Sequence, residues 1–175
     1  MRRRGPCIGL RKSTSNLFRQ RDSAGKHLID VSGFDHVRAI DPERMTADVE
    51  GMITYEALVD ATLQHGLLPA VVPQLKTITV GGAASGLGIE SSSFKFGLVH
   101  ETVEQMEILL GDGRLVRCSC RENRDLFFGF PNSYGTLGYA LRLTVRLIHA
   151  KPCVHLSHTR FPDPESYFAR VQEVC

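Results

Sequence analysis

The sequence predicts an α+β domain, and three observations carry that prediction. Short apolar runs of strand length, bounded by glycine, proline or aspartate, recur at residues 27–32, 37–40 and 46–50. One stretch, 55–65, repeats its apolar residues at helical spacing. A Gly111-Asp112-Gly113 turn joins two alternating segments, the pattern of a β-hairpin.

Taken in order, residues 11–18 (RKSTSNLF) form a hydroxyl- and amide-rich turn between cations. Such a turn can gather backbone N–H groups around an anion or be an ordinary Ser/Asn loop, and residue chemistry leaves both open. The strand at 27–32 is closed by Gly33 and Asp35, that at 37–40 by Asp41-Pro42, and that at 46–50 by Gly51. Thr54 is placed to cap the helix 55–65, with Tyr55, Leu58, Val59, Thr62 and Leu63 on one face and Glu56, Asp60 and Gln64 outside it. Gly66 follows at the C′ position, where a positive φ is favoured. The run 67–73 is bracketed by prolines and extended, and Pro73 ends it. Hairpin strands are expected at 103–110 and 114–120, with Met106, Ile108 and Leu110 on one face and Val116, Cys118 and Cys120 sharing another. A turn or two of helix at 122–128 would carry Leu126, Phe127 and Phe128 inward. A second small-residue turn, 132–138, opens onto a long strand at 139–149. Finally, Asp163-Pro164-Glu165 starts a helix whose small apolar face (Tyr167, Phe168, Val171) has little to pack against.

The chemistry concentrates in residues 77–103. Glycines (Gly81, Gly82, Gly86, Gly88, Gly97) and hydroxyls (Thr77, Thr79, Ser85, Ser91, Ser92, Ser93) are dense here, yet Ile78, Val80, Ala83, Ala84, Leu87 and Ile89 are threaded between them. A solvated linker would be uniformly polar. Bare backbone at that density serves successive φ > 0 turns or a close approach of N–H groups to a ligand. The stretch therefore reads as a loop against a large, partly anionic cofactor, or as a glycine turn cluster with nothing bound. It is not a P-loop, because no glycine is followed by Lys-[Ser/Thr]. Gly86-Leu87-Gly88 is followed by Ile89-Glu90-Ser91, so the third glycine of a dinucleotide fingerprint is missing.

Composition excludes several classes. At 175 residues with net charge +2, the chain has the length and balance of one ordinary soluble domain. Arg2, Arg3, Arg4, Arg11, Lys12, Arg19 and Arg21 precede the first acid, Asp22. The run is short and has only Phe18 among its cations, so it reads as a solvated basic start with one or two side chains near a phosphate rather than a nucleic-acid arm. No apolar stretch approaches membrane-spanning length, and MRRR lacks the apolar segment of a secretory signal. Five scattered cysteines do not make a disulfide framework and point to a reduced, cytoplasmic setting. Cys118 and Cys120 read as small buried residues on one strand face, not a redox pair, and no metal site is expected.

The run TVGGAASGLGIESSSFKFGL, followed by LLGDGRLVRC, ENRDLFFGFPNSYGTLGY and LRLTVRLI, strongly resembles the FAD-linked oxidoreductases of the vanillyl-alcohol oxidase / p-cresol methylhydroxylase superfamily. Within it, GIESSSFKFGL is most similar to the delta-24 sterol reductases. The likeness runs from residue 12 to 151. It implies an FAD-binding domain of two α+β subdomains, 1–72 with the pyrophosphate loop and 73–150, with 151–175 beginning a substrate domain that is missing or truncated. It assigns Lys12, Ser13, Thr14, Ser15 and Asn16 to the cofactor phosphates and brings Pro73 towards the flavin. Thr79, Val80, Gly81, Gly82, Gly86, Gly88, Ile89, Ser91, Ser92 and Gly97 match the cofactor loop, and Gly135, Gly138 and Ala140 the turn over the adenosine. The first loop holds less glycine than the family pattern, and the strand–helix unit that usually opens the domain is not evident.

Covalent flavin attachment in the superfamily uses His or Cys at loop positions. Residues 13–16 hold neither, and His100 is the only such nucleophile near 77–103, so FAD is expected to be bound non-covalently. The resemblance further implies hydride transfer between flavin and a C=C bond of a sterol-like or other lipid substrate, with NADPH as a candidate electron source. Relatives also oxidise alcohols, sugars or lactones. No catalytic residue is assigned: Glu90 and Lys95 face either substrate or solvent, and the general acid for C=C reduction belongs to the absent domain. Outside the enzyme reading stand a cofactor module completed by a homodimer or a partner chain, and a salt-sensitive nucleic-acid binder. A cytoplasmic location, or one peripheral to a membrane, is expected.

Overall fold

The computed structural model describes residues 7–12 and 25–175. Strand β8 (Tyr139–His149) alternates buried and exposed positions over 11 residues and serves as the spine of a six-stranded sheet. It pairs antiparallel with β4 (Thr46–Glu50) on one edge and β6 (Val103–Leu109) on the other, and takes β5 (Leu67–Pro69) beside its last residues. β3 (Val37–Asp41) and β7 (Leu115–Ser119) complete the order β3-β4-β8-β6-β7. Strands from both sides of position 72 thus share one sheet. A register shift between Glu107 and Ile108 opposite Leu141 lets both Ala140 and Leu143, three residues apart, point inward.

One face of the sheet is apolar and covered. Tyr55 and Leu58 of helix α1 (Tyr55–Leu63) and Val80, Ala83 and Ala84 of helix α2 (Val80–Ser85) join Ala47, Val49, Met106, Ile108, Leu143 and Val145 in the core. The opposite face is charged, as an antiparallel sheet with one solvated side allows. There Arg142 pairs with Asp48, its Nε donating to Oδ1 at 2.7 Å while Nη2 holds the other oxygen. That hydrogen bond and charge raise the Arg142 pKa above its already high value.

Helix α1 forms as its pattern dictates. Thr54 Oγ1 accepts from the Ala57 N–H at 3.2 Å, and Gly66 adopts φ 69° just beyond the helix end. The hairpin of β6 and β7 turns through Gly113 at φ 87°. Helix α3 (Ser93–Phe96) is a single turn, and α4 (Arg124–Gly129) packs against β7. Helix α5 (Pro164–Val174) is capped by Asp163, whose Oδ1 accepts from the Ser166 N–H at 2.7 Å. Tyr167 and Phe168 on it are exposed and touch edge to face.

Three expectations are corrected. Phe128 does not point inward: it is 60% exposed beneath the Arg124 guanidinium, while Phe127 and Phe130 fill the core. Cys118 is fully buried but Cys120 is exposed, because β7 ends at Ser119 and the chain turns there, the Ser119 N–H donating to the Glu122 carbonyl. An opening strand does exist: β1 (Cys7–Arg11), too short to stand out in sequence, pairs parallel with β2 (Lys26–Asp30), the strand expected at 27–32. Among the described residues, no helix is long and apolar enough to cross a membrane.

Candidate functional site

The glycine-rich stretch is not a loop of left-handed turns. Thr79 is an N-cap, its Oγ1 accepting from the Gly82 N–H at 3.2 Å, and residues 80–85 are helix α2. Of the five glycines in 77–103, only Gly97 has a positive φ, at 81°. The others answer to close packing. A Cβ on Gly81 would stand 2.8 Å from the Gly51 carbonyl oxygen and 3.2 Å from that of Ala140. A Cβ on Gly51 would run into the Ala140 carbonyl, and one on Gly138 would lie 3.0 Å from Ile108 Cγ2 and 3.1 Å from the Leu109 carbonyl carbon. Gly51, Gly81 and Ala140 therefore form one junction where the end of β4, the start of β8 and the start of α2 meet backbone to backbone, while Gly138 packs against β6.

The start of α2 spends its donors there. Val80 N–H donates to the Ile53 carbonyl at 3.0 Å, Gly81 N–H to Gly51 at 2.9 Å and Ala83 N–H to Thr79 at 2.9 Å. The first turn of α1 is closed likewise, Tyr55 and Glu56 donating to Ile78 and Lys76, both at 3.0 Å. Thr54 and Thr79, the two caps, are joined by an antiparallel bridge. They line one small open cleft together with Lys12, Ser32, Asp35, Met52 and Ala57.

The cleft mixes charge. Lys12 brings a cation, the N-terminal end of α1 a positive partial charge, and Asp35 a carboxylate. Beside it, His36 Nδ1 hydrogen-bonds Glu50 Oε2 at 2.8 Å, the His36 N–H donates to the same oxygen at 3.0 Å, and Arg38 lies 3.4 Å from Oε1. The bond to Glu50 and the charges of Asp35 and Glu50 raise the His36 pKa. Burial pushes the Glu50 carboxyl up, but the His36 bonds and the His36 and Arg38 charges outweigh it and leave it below its ordinary range. Asp35, His36 and Glu50 bring three potential metal-ligating atoms within 4.8 Å of one another, organised as a hydrogen-bonded ion pair. Nothing in the sequence spacing marked this trio, since β3 and β4 must pair before Glu50 meets His36.

The remaining predicted residues fall in three groups. Ser13, Thr14, Ser15 and Asn16 lie outside the described residues. Gly82, Gly86 and Gly88 are half-exposed, with Gly88 held by its N–H on the Ala83 carbonyl and seated against Val99. Turn 132–138 docks on the end of α2: Tyr134 donates from its N–H to the Ser85 carbonyl and from its hydroxyl to the Gly86 carbonyl, both at 3.2 Å. That turn holds Gly135 at φ 87° and Gly138 at φ 148°, and leads into buried Ala140. Thus Thr79, Val80, Gly81, Gly82, Gly86, Gly88, Gly135, Gly138 and Ala140 come together around α2.

Pro73, Ile89, Ser91, Ser92 and Gly97 sit apart on the neighbouring loop. Pro73 is buried beside Gln74, whose N–H donates to Glu90 Oε1 at 2.6 Å, so Glu90 braces the loop. Ser92 Oγ donates to the Ala70 carbonyl at 3.2 Å, while Ser91 is exposed and Ile89 is 67% exposed. Gly97 faces Glu101, whose carboxylate accepts from the Leu98 N–H at 2.6 Å. Lys95 lies over the Phe96 ring. His100 Nδ1 is enclosed with no hydrogen-bond partner, and burial lowers its pKa despite the neighbouring Glu101 charge. Sequence reasoning missed Gly51, whose need for bareness comes from Ala140 of β8, far along the chain, and Ser133, whose buried Oγ has no partner among the described residues.

The donor set fits FAD, which carries phosphates, hydroxyls and a flat ring system. Lys12 suits the phosphates, the Asp35 carboxylate suits hydroxyls, and the half-bare backbone from Gly82 to Gly88 admits a flat group. Comparison with known proteins agrees. Residues 1–119 match the family described as FAD binding domain. The chain is 41% identical over 131 residues to the Delta(24)-sterol reductase of Pisum sativum, covering 74% of this chain and 23% of that protein. It is 39% identical over 117 residues to the Homo sapiens enzyme of that name, covering 67% and 23%. It therefore spans about a quarter of the length of these relatives. The crystal structure of 6-hydroxy-D-nicotine oxidase from Arthrobacter nicotinovorans superposes with a TM-score of 0.72 at 22% identity, over 82% of this chain and 31% of that one. The chain belongs to the FAD-binding domain family, with the fold of the vanillyl-alcohol oxidase / p-cresol methylhydroxylase type.

Proposed function

We propose that this chain is the cofactor-holding part of a flavin-dependent oxidoreductase acting on a C=C bond of a sterol-like or other lipid substrate. What carries the reading is helix α2, with the Lys12 cleft at its Thr79 cap and the 132–138 turn docked on its other end, in a chain 41% identical over 131 residues to a sterol reductase. Bound FAD would supply hydride transfer at its flavin ring. The chain's own part is to bind and orient it. Lys12 brings a cation to the pyrophosphate, and the hydroxyls and backbone N–H groups of 13–16 bring hydrogen-bond donors. The half-exposed glycines of 82–88 let the cofactor lie against bare backbone, and the turn at Gly135 and Gly138 closes over the adenosine. Residues 1–150 form the cofactor domain, and 151–175 lead into the substrate domain. Attachment is non-covalent, because no His or Cys stands in 13–16 and His100 Nδ1 is enclosed. NADPH is the proposed electron source, and the location cytoplasmic or peripheral to a membrane.

The test is an absorbance spectrum of the purified chain, taken after adding FAD and removing the excess by gel filtration. Bands near roughly 370 and 450 nm, as for bound oxidised flavin, that leave the protein on denaturation support the reading. A colourless chain overturns it. An alternative is a cofactor module that acts only with a partner chain. It predicts bound FAD without reduction of a sterol C=C bond until that partner is added.

A further inference from the structure

We propose that Asp35, His36 and Glu50 form a binding site for one divalent cation of the Mn(II) kind, which accepts carboxylate and imidazole ligands together. The ligand atoms are Asp35 Oδ1, His36 Nδ1 and Glu50 Oε2. Nδ1 lies 3.3 Å from the Asp35 oxygen and 2.8 Å from the Glu50 oxygen, and all three atoms lie within 4.8 Å of one another. Two ligand atoms at right angles on an ion with bonds of about 2.1 Å stand about 3 Å apart. The two measured separations bracket that spacing, so one ion can touch all three from adjacent corners of an octahedron.

The backbone holds these ligands together. Glu50 N–H donates to the His36 carbonyl at 2.9 Å, and Met52 N–H to the Phe34 carbonyl at 2.8 Å. The turn before β3 is thus stitched to the end of β4 at the ligands themselves, with no movement needed to assemble them. Arg38 lies 3.4 Å from Glu50 Oε1, the oxygen that is not a ligand. It leaves Oε2 to the ion and steadies the carboxylate, as outer-shell partners do. Charge agrees, since two carboxylates balance a divalent ion when the imidazole is neutral. His36 therefore gives up the proton on Nδ1 and keeps the one on Nε2, so that binding releases a proton from the imidazolium. The His36 and Asp35 side chains are 66% and 55% exposed, which leaves the remaining positions to water. Asp35 also lines the cleft beside Lys12, so the ion stands at the cleft's edge.

The test titrates Mn(II) into the 175-residue chain, stripped with a chelator and free of FAD, with the unbound ion read by electron paramagnetic resonance. Mn(II) is the probe because thiol-seeking ions would also find the exposed Cys120, Cys153 and Cys175. Saturable uptake of one ion per chain is expected. Asp35→Asn, His36→Asn and Glu50→Gln are each expected to weaken it at least about ten-fold, while Glu104→Gln, at an exposed carboxylate of β6, leaves it unchanged. Thermal unfolding without metal checks the fold of each variant, and Asp35→Asn, at an exposed position, carries the test where Glu50→Gln does not fold. An ion pair with no ligand role takes up no Mn(II) saturably by about 1 mM, the weak end of dedicated divalent sites, and that result overturns the inference. Uptake that persists undiminished in Asp35→Asn and His36→Asn overturns it too, by placing the ion on other carboxylates. The FAD reading is untouched by either result.

Discussion

Replacing Gly51 by alanine attacks the junction that positions α2. The new Cβ would lie 3.0 Å from the Ala140 carbonyl carbon and 3.6 Å from that of Leu141, with the Ala140 oxygen closer still. Carbon atoms prefer roughly 3.5–4.0 Å, and these neighbours are backbone, so no side chain can swing aside. The ends of β4 and β8 must part by about 0.5–1 Å to restore that spacing. Doing so lengthens the 2.8 Å bond from the Gly51 N–H to the Leu141 carbonyl and disturbs the 2.9 Å bond from Gly81 to Gly51. Overpacking costs about 1–3 kcal/mol, and a buried backbone bond left unmade about 1–3 kcal/mol more. The sum, about 2–6 kcal/mol, corresponds to a Tm lower by roughly 4–24 °C in a chain of this size. Gly33 and Gly111 are the controls, since a Cβ at either meets nothing within 4 Å. Their alanine variants are expected to unfold within about 2 °C of wild type. Thermal unfolding followed by circular dichroism decides the matter: a Gly51→Ala chain as stable as the Gly33→Ala control would refute the junction.

Other perturbations have smaller, separable signatures. Thr79→Ala removes the α2 cap and is expected to cost about 1 kcal/mol, with Thr79→Ser recovering most of it, measured by urea unfolding. The His36–Glu50 pair makes stability depend on pH from both sides. The raised His36 pKa gives an increment fully present below the ordinary value of 6.5 and lost as pH rises through the folded value. The lowered Glu50 pKa gives one present above 4.5 and lost as pH falls through the folded value. His36→Asn should flatten the alkaline side of a Tm-against-pH curve, and an unaltered curve would rule the pair out. Burial pushes the Cys118 thiol up to about 11, with the Glu122 charge adding to it. Iodoacetamide at neutral pH should therefore label Cys120, Cys153 and Cys175 in the folded chain and reach Cys118 only on unfolding, as read by mass spectrometry.

Much of the fold was legible because its signals are local. The period of 55–65, the Thr54 cap and Gly66 specify α1, and the alternation around Gly111-Asp112-Gly113 specifies the β6–β7 hairpin. Where a strand slips register, alternation alone misleads: the shift opposite Leu141 brings Ala140 and Leu143 to one face. β1 was invisible for a different reason. Its five residues hold only Cys7, Ile8 and Leu10 as apolar members, and its parallel partner begins only at Lys26.

The glycines carry the deeper lesson about the candidate site. Density alone pointed to a ligand, because bare backbone is costly unless something approaches it. In the folded chain that something is, at Gly81, another part of the same chain. The missing Cβ lets α2 sit on the ends of β4 and β8, and its first N–H groups are consumed in holding it there. Gly82, Gly86 and Gly88, one turn further on, stay half-exposed and free of such backbone crowding at the β strands. Crowded and half-exposed glycines thus stand side by side within eight residues, and only the three-dimensional neighbours sort them. A cofactor bound here would meet a surface whose height is fixed by the Gly51–Gly81–Ala140 contact. Substitutions at that junction should therefore weaken FAD binding through displacement of α2, whereas Ser91→Ala, at an exposed hydroxyl of the neighbouring loop, should weaken it at little cost to the cofactor-free Tm. If both classes lowered Tm and affinity in the same proportion, the division between scaffold and binding surface would fail.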